Sequence, residues 1–311
     1  MINHVSKHSH IRGLCPVTGK SNEWCPAQEG DSRSPCPALN TLANHGYLCV
    51  LRCGISYLVL TAYSPRNGKD ISMFDFVYAL KAGYHLSTIF AWFLTIGGFI
   101  LLQQFGRISL GDLARHNHIE HDASLVHHNT ELEAEYAPCE VDDALVDALC
   151  SDARPSGDKG LRMNAEDVAR ARIRRENESP VLDILHAEIA RGEMAIALGV
   201  FGGKNGSHDG VPIEWLKEWI QYERLPRGWK YTHTQGFLES AKAATDIRNA
   251  MKRLRLEMDV TDEKDGKAFS DSVSSSEDSF FIYGEARDTT PPTSDSEDGI
   301  PAEKKSDDGG R

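Results

Sequence analysis

Between Leu86 and Phe105 the chain carries no charged residue, and 89–102 is almost wholly apolar. No other stretch narrows the available folds so much. A helix apolar on all sides belongs either in the interior of a helical protein or in a bilayer. The continuous apolar run is 14 residues long, short of the roughly 20 that a spanning helix needs. Gly97-Gly98 interrupt it, and basic residues do not gather on one side. The expectation is a buried core helix with no stable membrane span. The alternative is a non-catalytic membrane-associated protein anchored by 86–105, with an acidic interaction tail.

The rest of the chain reads as mainly helical. Apolar spacing at helical period places helices at 38–45, closed by Gly46, and at 73–82, capped by Ser72 or Asp70. Further helices are expected at 110–119, 141–150, 165–177, 181–198, 212–222 and 236–259. Alternating strand patterns are scarce, so the predicted class is all-α: a single helical domain over 31–260. Residues 1–30 read as a flexible lead-in. Of the net charge of −12, the stretch 261–311 contributes −8, from 14 acidic and 6 basic residues. Its Ser- and acid-rich composition offers too little apolar surface to offset ordering entropy, and it is expected to be a disordered acidic tail. The remaining body is nearly balanced. That argues against a nucleic-acid partner, whose phosphates call for Lys and Arg.

Seven cysteines make an odd number, which weakens any disulfide framework. The first residues hold no apolar stretch of the kind a secretory signal needs, so the expectation is a cytoplasmic protein; a different N-terminus would make it a secreted one. One cysteine stands out. Cys36 lies between Pro35 and Pro37 immediately before the helix at 38–45. Pro37 suits a first helical position. The amides of Ala38 and Leu39 would then face the Cys36 sulfur, and a helix N-terminus favours the thiolate. Such a thiolate can be a nucleophile, a redox sensor or a metal ligand; local physics leaves the three open.

Pro35-Cys36-Pro37-Ala38-Leu39-Asn40, followed by Ala43-Asn44-His45-Gly46-Tyr47, resembles the signature of fungal haem-thiolate peroxidases, the chloroperoxidase and unspecific peroxygenase family. Three further stretches resemble the family in the same order: Glu120-His121-Asp122-Ala123-Ser124-Leu125; Gly192-Glu193 before the apolar run 194–201; and Pro212-Ile213-Glu214-Trp215 continuing to Glu223-Arg224-Leu225-Pro226-Arg227-Gly228-Trp229. The resemblance implies a haem-binding fold of the chloroperoxidase type, haem b as cofactor, and oxidation, oxygenation or halogenation of a small organic substrate with hydrogen peroxide. It implies Cys36 as axial iron ligand, Glu193 as acid–base group, and His121 beside Glu193 with Asp122 as its orienting partner. It also implies a magnesium or manganese site from the Glu120 carboxylate, the His121 carbonyl and the Ser124 hydroxyl. An axial thiolate pushes electron density onto iron and favours O–O cleavage. A carboxyl group at the edge of an apolar helix has the surroundings that raise its pKa towards an acid–base role. Phe90 and Phe93 are the candidate haem-pocket lining on the apolar run.

Two features depart from the family pattern. The segment 49–64 separates Leu48 from Pro65-Arg66-Asn67-Gly68-Lys69, where the family runs on directly; it reads as a retained intron or gene-model error. If present in the protein, it would extend the loop after the Cys36 helix and add an apolar patch there. The second departure is the N-terminus, since well-known members of the family are secreted.

Overall fold

The structure is a computed structural model describing residues 22–48, 66–155, 157 and 160–277, with side chains described as far as Val260. The segments 1–21 and 49–65 lie outside it, and with them the lead-in as far as Ser21 and the insert at 49–64.

Helices dominate. In chain order they are α1 (Pro37–Asn44), α2 (Met73–Tyr84), α3 (Thr88–Leu101), α4 (Asp143–Ser151), α5 (Ala165–Asn177), α6 (Ile184–Gly202), the single turn α7 (Gly206–Asp209), α8 (Ile213–Tyr222) and α9 (Phe237–Glu277). The sheet is small and antiparallel, in the order β1 (Arg154–Pro155), β2 (Leu161–Met163) and β3 (Val211–Pro212), with Arg154 opposite Arg162 and Met163 opposite Val211. The domain is all-α in class, as its apolar spacing predicts.

Local chemistry explains most boundaries. Ser72 caps α2 in a reciprocal capping box with Asp75, and Asn164 does the same for α5 with Asp167. Gly46, at φ +73°, closes α1 and donates its amide to the Ala43 carbonyl at 2.9 Å. Where α2 crosses α1 there is no room for a side chain: a Cβ on Gly83 would lie 2.2 Å from Leu42 Cδ2. The crossing holds the C-terminal end of α1 against α2.

Two expectations are corrected. The helix predicted at 110–119 is only a 3-10 turn at Leu110–Ala114. Beyond it Arg115 turns extended, and the Asn117 amide bonds the Glu120 carbonyl at 3.1 Å, so local loop bonds replace a continued helical ladder. The apolar helix is buried on one face only. Phe90, Ala91, Thr95 and Phe99 are buried, with the Phe99 ring 5.9 Å from that of Phe76 on α2, whereas Ile89, Phe93, Ile96 and Ile100 are exposed. Of the tail expected at 261–311, residues 278–311 lie outside the described residues, and only the backbone of α9 as far as Glu277 is described; Val260 closes the first of the two units into which the chain divides. Among the described residues no helix is long and apolar enough to cross a membrane. At a rise of about 1.5 Å per residue α3 reaches about 21 Å, against a hydrocarbon core of about 30 Å. Anchoring by 86–105 has no support.

Candidate active site

Cys36 is the N-cap residue of α1, with Pro37 at the first helical position, the arrangement its flanking prolines predict. The Leu39 and Ala38 amides favour the thiolate, though no cap hydrogen bond of normal geometry forms. The expected balance is reversed, however. Burial, reinforced by the negative charge of Glu193, outweighs the two amides and pushes the thiol up to about 12. Desolvation removes the water that would solvate the anion, and two backbone dipoles do not replace it.

Behind it lies a polar network. The Cys36 amide donates to Ser34 Oγ at 3.2 Å. Asn40 accepts from the Ser34 amide at 2.9 Å and donates to its carbonyl at 2.7 Å. Tyr84 on α2 donates to the Ala38 carbonyl at 2.9 Å and accepts from Trp219 Nε1 at 3.0 Å. The first turn of α1 is thus pinned from α2 and α8.

Glu193 stands in the middle of α6, not at the start of a helix as its sequence setting indicates. Its side chain is 58% exposed, and Oε2 is 3.8 Å from His121 Nε2, beyond hydrogen-bond range. His121 is buried, and its Nδ1 lies 2.6 Å from the backbone carbonyl of Asp122. Asp122 therefore orients His121 through its main chain. Its carboxylate serves elsewhere, accepting from the Thr130 amide at 3.2 Å and lying 3.8 Å from His116 Nε2.

The side-chain oxygens expected to hold magnesium or manganese have other partners in this structure. Glu120 Oε2 is 2.7 Å from His116 Nδ1. Ser124 Oγ faces His127 Nδ1 at 3.2 Å and accepts from the amides of Val126 and His127. Both oxygens are thus engaged by histidines, and among the described residues no cluster of three or more His, Cys, Asp or Glu is arranged for a metal ion. Of the two phenylalanines, Phe90 is buried, its ring 6.0 Å from that of Phe237. Phe93 is half-exposed, with its ring 4.8 Å from Phe237. Only Phe93 retains surface to offer a flat cofactor.

Comparison places this arrangement. The family described as "Peroxidase, family 2" matches residues 22–234. The chain belongs to that family. It is 30% identical to an aromatic peroxygenase of Cyclocybe aegerita over an alignment of 128 positions, covering 35% of this chain and 30% of the relative. It is 53% identical to the aromatic peroxidase fscJ of Fusarium equiseti over 47 residues, 14% of this chain and 10% of that protein. The dothistromin biosynthesis peroxidase dotB of Dothistroma septosporum is 33% identical over 85 residues, 27% of this chain and 16% of the relative. The matches thus span about a third or less of these curated relatives.

Several residues of the site escape sequence reasoning. Arg172 and Arg175 on α5 hold the loop that carries His121: Arg172 Nη1 donates to the Ala123 carbonyl and Arg175 Nε to the Ser124 carbonyl, each at 2.7 Å. Both are buried; two arginines on the apolar face of a helix were the available signal. His186, buried on α6, sets its ring 5.9 Å from that of His121. Glu223 accepts from both Asn40 and Asn44, a contact across 183 residues that no spacing rule reveals.

Proposed function

We propose that this chain is a haem-thiolate peroxidase or peroxygenase, taking hydrogen peroxide and a small organic substrate. Its family membership supports peroxidase chemistry with a haem cofactor. The observation that carries the thiolate reading is the N-cap placement of Cys36, with the Ala38 and Leu39 amides acting on its sulfur and the charge of Glu193 within reach.

The residues present fit haem at Cys36. A thiol held at about 12 by burial becomes a thiolate when a cation coordinates it, and the two amides then stabilise the anion they could not create alone. Bound there, haem would supply the oxidising centre, its reactivity tuned by the thiolate. The chain's own residues supply the rest. Glu193 takes and returns a proton, its exposed carboxylate leaving room for a substrate. Because a carbonyl only accepts, His121 Nδ1 carries the hydrogen bonded to Asp122, and Nε2 is the ring nitrogen that faces Glu193. His121 can thereby hold the proton that Glu193 releases. The residues at 120–124 do not fit magnesium or manganese in this geometry, and neither ion enters the scheme.

The test is the absorption spectrum of the haem-loaded protein, reduced under carbon monoxide. A strongly red-shifted Soret band, lost in Cys36→Ala, is expected. A spectrum of histidine ligation in the wild type would overturn the assignment.

A further inference from the structure

The Asn40 and Asn44 side chains, one helical turn apart on α1, converge on one residue of another element. Glu223, the C-cap of α8, accepts from Asn40 Nδ2 on Oε1 at 2.5 Å and from Asn44 Nδ2 on Oε2 at 3.2 Å. Asn44 also donates to the Glu223 carbonyl at 3.3 Å. The network continues to the sulfur's own residue: Asn40 holds Ser34, and Ser34 Oγ accepts from the Cys36 amide.

We propose that Glu223 is a positioning residue of the thiolate side: it clamps α1 through Asn40 and Asn44 and sets a carboxylate charge at the end of the hydrogen-bonded line that runs to Cys36. This rests on Cys36 being the axial ligand. Three observations carry it. Both carboxylate oxygens accept from amide donors, the pattern an ionised group satisfies. Glu223 adopts φ +46°, the left-handed cap conformation in which Gly or Asn is the usual occupant, so its side chain is kept there at a conformational cost. The surrounding charge is arranged for it: Arg33, side chain 11% exposed and paired with Asp31 at 3.3 Å, donates to Asn44 Oδ1 at 2.6 Å, polarising the amide that donates to Glu223.

The Glu223 carboxylate is connected to the Cys36 backbone through Asn40 and Ser34. A negative charge linked in this way to the residue of an iron-bound thiolate disfavours the added electron of the reduced haem, because outer hydrogen bonds and charge tune a metal centre beyond its direct ligands. Glu223 therefore lowers the midpoint potential of the one-electron haem couple and keeps the sulfur in register with α1.

The experiment is spectroelectrochemistry of haem-loaded wild type, Glu223→Gln and Glu223→Asp, with the carbon monoxide spectrum of each. Glu223→Gln should keep the red-shifted band while its midpoint potential moves positive; Glu223→Asp should stay near wild type. An unchanged potential in Glu223→Gln, with haem and band intact, overturns the proposal. If Glu223→Gln fails to load haem, Glu223→Asp decides: a loaded variant with the thiolate band shows that the carboxylate is required, whereas an equal failure reduces Glu223 to packing and overturns its charge role. A wild type without the red-shifted band would instead remove the axial assignment of Cys36.

Discussion

His121 Nε2 faces Glu193 Oε2 at 3.8 Å while its other ring nitrogen is fixed at 2.6 Å on the Asp122 carbonyl. One nitrogen is locked and the other is left to work with a carboxylate a short movement away. Glu193→Gln should retain haem and lose about 100-fold or more in peroxide turnover, the range of a positioned acid–base group. His121→Ala should lose roughly 10- to 100-fold. Stopped-flow mixing with peroxide separates the two from binding defects. Glu188 is the residue to watch if Glu193→Gln stays active, but it is held by Arg191 at 2.7 Å and by Arg248.

Haem loading should release a proton. With the Cys36 thiol at about 12, it is protonated at pH 7 to 8, and coordination requires the anion. Apparent haem affinity should rise about tenfold per pH unit over this interval. A pH indicator in weakly buffered solution should read close to one proton per haem. No release would show that the sulfur is not the ligand.

Acid should destabilise the fold through two buried histidines. Burial lowers His45 and His127 from 6.5 to about 4 each. Above 6.5 both are neutral folded and unfolded, and stability is unaffected. As pH falls from 6.5 towards 4, the unfolded chain binds protons that the folded chain refuses, so stability declines by up to about 3 kcal/mol per histidine. His45 also accepts the Leu225 amide at 3.1 Å, a bond its imidazolium cannot make. Thermal melts between pH 7 and 4.5 should show a falling Tm, with a shallower slope in His127→Gln.

Arg172→Met should cost about 3–5 kcal/mol, the usual penalty for removing one member of a buried charged set. It leaves the Ala123 carbonyl without its 2.7 Å donor and Glu176 without its contact at 3.2 Å. Denaturant unfolding measures the loss. Since Ala123 lies two residues from His121, peroxide turnover should fall as well.

Gly83→Ala should destabilise by about 1–3 kcal/mol even though alanine favours a helix by up to about 1 kcal/mol. The new Cβ would lie 2.2 Å from Leu42 Cδ2, and Leu42, which must shift, is fully buried. A Tm equal to wild type would mean that α1 and α2 separate more easily than their packing implies.

The helices were legible in sequence wherever a local signal acted alone. Ser72 announces α2, Asn164 is the cap of α5, and Pro37 with Gly46 brackets α1. The segment 110–119 misled because its apolar spacing competed with loop bonds to Glu135 and Glu120, which are contacts made only in the folded chain. The 86–105 run revealed its helix but not its half-exposed face, since burial depends on what packs against it.

The amino-acid order by itself indicated where Cys36 sits: Pro37 suits a first helical position, and the residue before it, as cap, receives the amides that follow. Tertiary structure decided what that cysteine is. Burial and the carboxylates of Glu193 and Glu223, brought from α6 and the end of α8, push the thiol up against the amides of Ala38 and Leu39. The physical reason is range. Caps and turns are set by neighbours a few residues apart, whereas desolvation and charge come from whatever the fold brings near.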